Sequence, residues 1–405
     1  MSKVIRQANE HNSDMRNVHY EYSYSFNRFI ERSEGNILIN GGEKDKRRKC
    51  LLEYIMYMSR CTTRPLIIFS DDDILEDALI ALAQGGHIGQ LNICSERYQK
   101  YDFFCGMQNR FISECFTRIA AARGCKDTTE AQSYINAFLS IMREGLKANK
   151  LDGPDLNSML SSASFSDKQI RAEAQNALTG TVIESSTKGG ILLRSLLQVF
   201  AEETDSIRNK TDGTPCREAD SITIKNCVNK GQIMLVKVPA VNCEIFAVYF
   251  ASELRSLMDR DFVCIFDDSF MLDTDAMQTV VSMLKKRAGV DVVIACDNIV
   301  AFDDVSDRDM TVNFNSSIIL LNGKTPQQDL QKILSSFGQY THMKAMKNKV
   351  TPPSVLFTLE RGEGESAQSY TRDRILLQEE SGKEAVITCG SNAEIIIADK
   401  LLNNI

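Results

Sequence analysis

Residues 262–302 constrain the chain more than any other stretch. They read Phe262-Val263-Cys264-Ile265-Phe266, then Asp267-Asp268, then a helical pattern over 273–286, then Gly289 and a second apolar run, Val292-Val293-Ile294-Ala295-Cys296. Apolar runs separated by a helix predict neighbouring strands of a parallel sheet, because a strand covered on both faces must be apolar throughout. Ligands bind at the C-terminal edge of such a sheet, and a carboxylate there stands where a nucleotide-binding fold holds Mg²⁺. Two readings of Asp267 and Asp268 are open at this point. They are Walker B-type carboxylates, or they turn the chain out of the sheet and cap the next helix.

Composition narrows the class. With 405 residues, 43% hydrophobic and 25% charged, the chain is expected to fold into two or three domains with a substantial core. The net charge of −7 and pI near 5.4 exclude a globally basic nucleic-acid binder, so any such partner must meet a local basic patch. The 12 cysteines include no C-x-x-C pair, and Cys264 and Cys296 sit inside apolar runs, which fits a reducing cytoplasm. Residues 1–26 carry no signal-peptide pattern and no run of eighteen apolar residues occurs, so the expectation is a cytoplasmic chain with no membrane span of its own.

Taken in order, residues 1–34 read as an N-terminal arm, with an alternating aromatic stretch over 19–26 suited to a short edge strand. A strand over 36–39 leads into Gly41-Gly42 and a helix over about 51–58; a second strand over 65–69 leads into Asp71-Asp72-Asp73 and a helix over 75–84 closed by Gly85-Gly86. Two such units in succession favour a parallel sheet. Helical periodicity then dominates, over 107–123, 129–147, 167–177 and 192–201, followed by a polar linker over 202–221. Strands return at 232–238, with a helix over 244–258, and again at 315–321, with a helix over 325–337. A soft stretch over 351–372 and a hairpin-like end, 385–388 with 394–397, complete the chain, which has no internal repeat.

This order of parts, after residue 35, resembles the cytoplasmic part of the TraG/TraD-type coupling proteins of conjugative and type IV secretion systems, relatives of the hexameric RecA-like DNA pumps. The matching pieces are the glycine turn at Gly41-Gly42, the acidic turn at Asp71–Asp73, the helical insertion, and Phe262-Val-Cys-Ile-Phe-Asp-Asp-Ser-Phe270, where the family reads apolar-apolar-Asp-Glu-Phe. Further matches are the strand ending in Asp297-Asn298, where the family ends in Gln-Ser, and the closing segment from Ser381. The resemblance implies an α/β, RecA-like P-loop NTPase fold with a mainly parallel central sheet and an inserted all-α domain. It divides the chain into an arm (1–34), a first RecA-like part (35–95), the all-α insertion (96–219) and a second RecA-like part (220–405). It also implies DNA, secretion or conjugation proteins and a homo-oligomeric ring as partners, and it makes Asp267 the residue that holds Mg²⁺ if the site works.

The departures from that pattern matter as much. A working P-loop reads G-x-x-x-x-G-K-[ST], its backbone N–H groups and lysine holding phosphates and its hydroxyl ligating Mg²⁺. Counted from Gly41, the second glycine is Lys46, the lysine is Arg47 and the hydroxyl is Arg48. Arg48 puts a cation where Mg²⁺ belongs. Asp268 stands in place of the family's glutamate and Asp297 in place of its glutamine, and Asp71–Asp73 lack its Asp-Pro-Lys-Gly. The expectation is a retired site: Gly41, Gly42, Lys46, Arg47 and Arg48 as vestigial nucleotide or anion binders, Asp267, Asp268 and Asp297 as vestigial catalytic positions, and no cofactor unless the site accepts ATP and Mg²⁺. An active ATP-driven translocase and a nucleotide-independent nucleic-acid-binding module are the alternatives. The basic run Lys44–Lys49 reads either as a lengthened solvated loop or as a contact for nucleic acid or an acidic partner, with Lys44 and Lys49 its outer cations. Arg287 reads as an exposed arginine at a helix end, in preference to the family's cross-subunit arginine position that it resembles, and His11, His19, His87 and His342 are too dispersed for a metal site.

Overall fold

The computed structural model describes residues 18–21, 35–98, 101–124, 128–148, 153–162, 187–204, 217–238, 243–297, 315–321, 384–388 and 394–398. The expected helices over 167–177 and 325–337 and the soft stretch over 351–372 lie outside them. In chain order the elements are β1 (Val18–Glu21), β2 (Ile37–Asn40), α1 (Lys44–Cys61), β3 (Leu66–Ser70), α2 (Asp73–Gln84) and β4 (Leu91–Cys94). Helices α3 (Asn109–Ala122), α4 (Thr128–Ala148), α5 (Leu156–Ser162), α6 (Thr187–Thr204) and α7 (Ile224–Lys230) follow. Then come β5 (Ile233–Val236), α8 (Cys243–Ser256), β6 (Phe262–Asp267), α9 (Asp275–Lys285), β7 (Val290–Cys296), β8 (Ser317–Leu320), β9 (Glu384–Thr388) and β10 (Glu394–Ala398). Two compact units divide the chain, Leu52–Ile294 on one side and Met1–Leu51 with Ala295–Ile405 on the other.

In the unit Leu52–Ile294 the strands run in the order β7-β6-β3-β5-β4. Strand β3 is parallel to both β5 and β6, with Leu66 opposite Ile233 and Val263 and with Ser70 opposite Asp267. All of β3 and β6 is buried, which is why both read as unbroken apolar runs. Strand β4 was not expected. It has only four residues, three of them half-buried, and it exists because it pairs along β5 from Leu91↔Ile233 to Cys94↔Val236. The short helices α5 and α7 also escaped the periodicity, since about two turns carry too few apolar repeats to register.

An aromatic cluster fastens the helical segment to the sheet. Tyr101 and Phe103, just after β4, pack on Tyr249 and Phe250 of α8, while Phe104 meets Phe116 of α3 and Phe200 of α6. Phe250 and Phe266 in turn flank Phe69 of β3. Each ring removed from water contributes roughly 1.5–3 kcal/mol. A carboxyl group lies beside them: Glu253, which accepts from the Tyr101 hydroxyl and, at 3.3 Å, from the Lys225 amide of α7. Burial holds its carboxyl above the ordinary carboxylate range.

In the other unit the order is β1-β10-β9-β8-β2. Strands β2 and β8 are parallel, and β9 is antiparallel to β8 and to β10, as the hairpin-like ending predicts. Strand β1 lies at the edge, parallel to β10, so the aromatic arm contributes an edge strand. Among the described residues no helix is long and apolar enough to cross a membrane.

Candidate functional site

The glycine turn follows β2. Gly41 and Gly42 both take left-handed backbone, φ 78° and 71°, which favours glycine at each. The Gly41 amide donates to the Cys296 carbonyl at 3.1 Å, and a Cβ on Gly42 would lie 2.8 Å from that of Leu321. Only Glu43 separates the two glycines from α1, which starts at Lys44 and not at the expected residue 51. The solvated-loop reading of the basic run is therefore corrected: these cations form the first turns of a helix. Three local bonds make that possible. The Glu43 carbonyl accepts from the Lys46 and Arg47 amides at 3.0 and 3.2 Å, and Asp45, an acid in the first turn, pairs with Arg48 at 2.6 Å.

The Arg47 side chain adds two more. Its side chain folds back from α1, and Nη1 donates to the carbonyls of Gly42 at 2.9 Å and Gly41 at 3.3 Å, with the residue 3% exposed. Arg48 is likewise sheltered, its side chain 11% exposed against 73% for Asp45. Lys44 and Lys49 are exposed and Lys46 is half-buried. Asp297, the residue after the carbonyl that anchors Gly41, is exposed.

In the other unit, Asp267 ends β6 and is 2% exposed. Ser70 Oγ, opposite it on β3, donates to Asp267 Oδ2 at 2.8 Å and accepts from the Asp72 amide at 3.1 Å. Asp72 in turn caps α2, its Oδ1 accepting from the Ile74 amide at 3.1 Å. The helix-capping reading of Asp267 and Asp268 is corrected too, because α9 is capped by Thr274, whose hydroxyl accepts from the Met277 amide. Asp268 is half-buried at φ 43°, a left-handed conformation that aspartate tolerates better than most side chains. The next residue, Ser269, buries its hydroxyl without a hydrogen-bond partner among the described residues, and the Phe270 amide donates to Asp71 Oδ2 at 3.0 Å. Asp73 and Glu76 are both ion-paired with Lys237.

The remaining candidates resolve simply. Arg287 follows α9 half-buried, not exposed, with its Nε shielded from water. His87 is exposed beside Arg60 at 3.2 Å, His19 lies on β1, and His11 and His342 fall outside the described residues. Among the described residues no group of three or more His, Cys, Asp or Glu side chains is arranged to hold a metal ion. Sequence reasoning missed Ser70, whose only signal was a hydroxyl at the end of a strand two residues before a capping aspartate. It also missed the Asp45–Arg48 pair, which the i,i+3 spacing makes legible.

No family model and no curated protein matches the chain by sequence. Solved structures do match. The bacterial conjugative coupling protein TrwBdeltaN70, in its unbound monoclinic form, has a TM-score of 0.54 at 14% identity over 91% of this chain and 85% of its own. Its trigonal form in complex with sulphate gives 0.52 at 14% identity, over 91% and 86%. The chain has the fold of a conjugative coupling protein. VirB4 of Thermoanaerobacter pseudethanolicus is also similar, with a TM-score of 0.48 at 12% identity over 74% of this chain and 80% of its own. The fold is thus RecA-like, α/β with a mainly parallel sheet, as the order of strands and turns implied. Asp267 ends β6 in one unit, and in the other the turn Gly41-Gly42 follows β2.

Proposed function

We propose that this chain is a catalytically silent relative of the coupling ATPases, serving as a binding or scaffold subunit in conjugative DNA transfer or type IV secretion. Its place in that reading is the cytoplasmic side, recruited by partner proteins. The observation that carries it is the start of α1. Three residues separate the helix from β2, and the hydroxyl position of the phosphate loop is a sheltered arginine already paired with Asp45. A phosphate loop needs a run of free backbone amides and a hydroxyl for Mg²⁺. Here the connection is too short for that run and its first amide is taken by Cys296, so ATP and Mg²⁺ do not fit the residues present.

One observation favours an active ATP-driven translocase instead. Asp267 is buried at the end of β6, oriented by Ser70 and not spent as a cap, which is the arrangement a working motor would keep. Calorimetry with ATP and Mg²⁺ separates the two. The natural protein is expected to give no binding heat, and Arg48→Thr alone is not expected to restore it, because the short connection remains. Micromolar Mg²⁺-dependent binding, or ATP turnover abolished by Asp267→Ala, would overturn the silent reading in favour of the motor.

A further inference from the structure

The backbone polarity of the glycine turn is opposite to that of a phosphate loop. Where an anion is held, successive N–H groups converge on it and the carbonyls face away. In this turn two successive carbonyls, Gly41 and Gly42, converge on Arg47 Nη1 at 3.3 and 2.9 Å, and the Gly41 N–H points to the Cys296 carbonyl at 3.1 Å. We propose that the Gly41-Gly42 turn is a cation-holding turn whose resident ligand is the guanidinium of Arg47, so that phosphate is turned away by polarity as well as by missing ligands. This assignment deepens the silent reading of the chain and rests on it.

Three features support a built arrangement over an incidental contact. The guanidinium is buried, so its hydrogen bonds replace water that it has lost, and breaking them strands a charge in the interior. The turn is fixed from behind, since Gly42 has no room for a Cβ against Leu321 and Gly41 is tied to the Cys296 carbonyl. Finally, the chemistry suits arginine: one nitrogen, Nη1, meets both carbonyls, and a guanidinium stays charged and is more weakly hydrated than an ammonium, so it loses less on burial. A phosphate entering the turn would meet two carbonyl oxygens and would have to displace a buried cation.

The test uses the full chain carrying Arg47→Ala, melted with and without methylguanidinium at millimolar concentration. Denaturing effects are slight there, because unfolding free energy falls only linearly with such solutes. The variant is expected to melt below the natural protein and to recover about 2–4 °C with methylguanidinium. Methylammonium and pyrophosphate should raise neither protein, and methylguanidinium should not raise the natural one. No recovery with methylguanidinium, or a gain with pyrophosphate in the variant alone, overturns the cation-holding turn and leaves the silent reading standing. A gain for the natural protein with pyrophosphate or with ATP and Mg²⁺ overturns both. If Arg47→Ala does not fold, Arg47→Lys decides: a lower melting temperature without gain from pyrophosphate supports the assignment, and an unchanged one overturns it.

Discussion

Gly42 shows how much a single position carries here. Its φ of 71° and the 2.8 Å approach of a Cβ to Leu321 act together, so Gly42→Ala strains the backbone and presses on a buried neighbour. The expected cost is about 1–3 kcal/mol, read as a lower urea midpoint at unchanged slope. A midpoint equal to that of the natural protein would mean that the turn relaxes freely. Arginine 47 and Arg48 make the complementary point. As letters they break a phosphate-loop pattern, and as side chains they build something else, one bridging two carbonyls and the other closing an ion pair with Asp45. Asp45 was legible from its spacing. The carbonyl contacts were not, because they depend on the direction of a backbone turn.

Elements repeat the lesson with more residues. Helix α8 is buried at every residue over 245–254, and it carries Glu253 into an aromatic cluster, where Tyr101 and α7 hold it. Burial raises this carboxyl, so the folded chain keeps the proton at a pH where the unfolded chain has released it. The stability this contributes is complete below the ordinary glutamate value, about 4.3, and is lost as pH rises through the raised folded value. Glu253→Gln should therefore flatten the fall in melting temperature as pH rises above the ordinary glutamate value. Parallel profiles for the two proteins would show that Glu253 is not the group responsible. Arg64 performs a similar service in front of β3, donating to the carbonyls of Phe262 at 3.0 Å and Gly289 at 2.9 Å while pairing with Asp291. Such clasps join residues far apart in sequence, and nothing in the local pattern announces them.

Across the whole molecule, charge sets the limits on partners. With a net charge of −7, any contact with DNA depends on a local patch, and the structure leaves Lys44 and Lys49 exposed on α1 while sheltering Arg47 and Arg48. If that face meets a nucleic-acid backbone, neutralising Lys44 and Lys49 should lower the slope of log affinity against log salt by about 1–2. An unchanged slope would remove α1 from the interface. What the sequence determined by itself was the succession of buried parallel strands and the carboxylate that ends β6, because a strand covered on both faces must be apolar along its length and polarity returns only where it leaves the sheet. The RecA-like fold was implied by the resemblance of the whole order of parts to the coupling proteins, not by that succession alone. Tertiary structure alone decided where α1 begins, that β4 is a strand, and that the glycine turn faces a cation. Each of these rests on a partner distant in sequence, β5 for β4 and Cys296 and Leu321 for the turn, and a local pattern cannot specify a contact whose other half lies elsewhere in the chain.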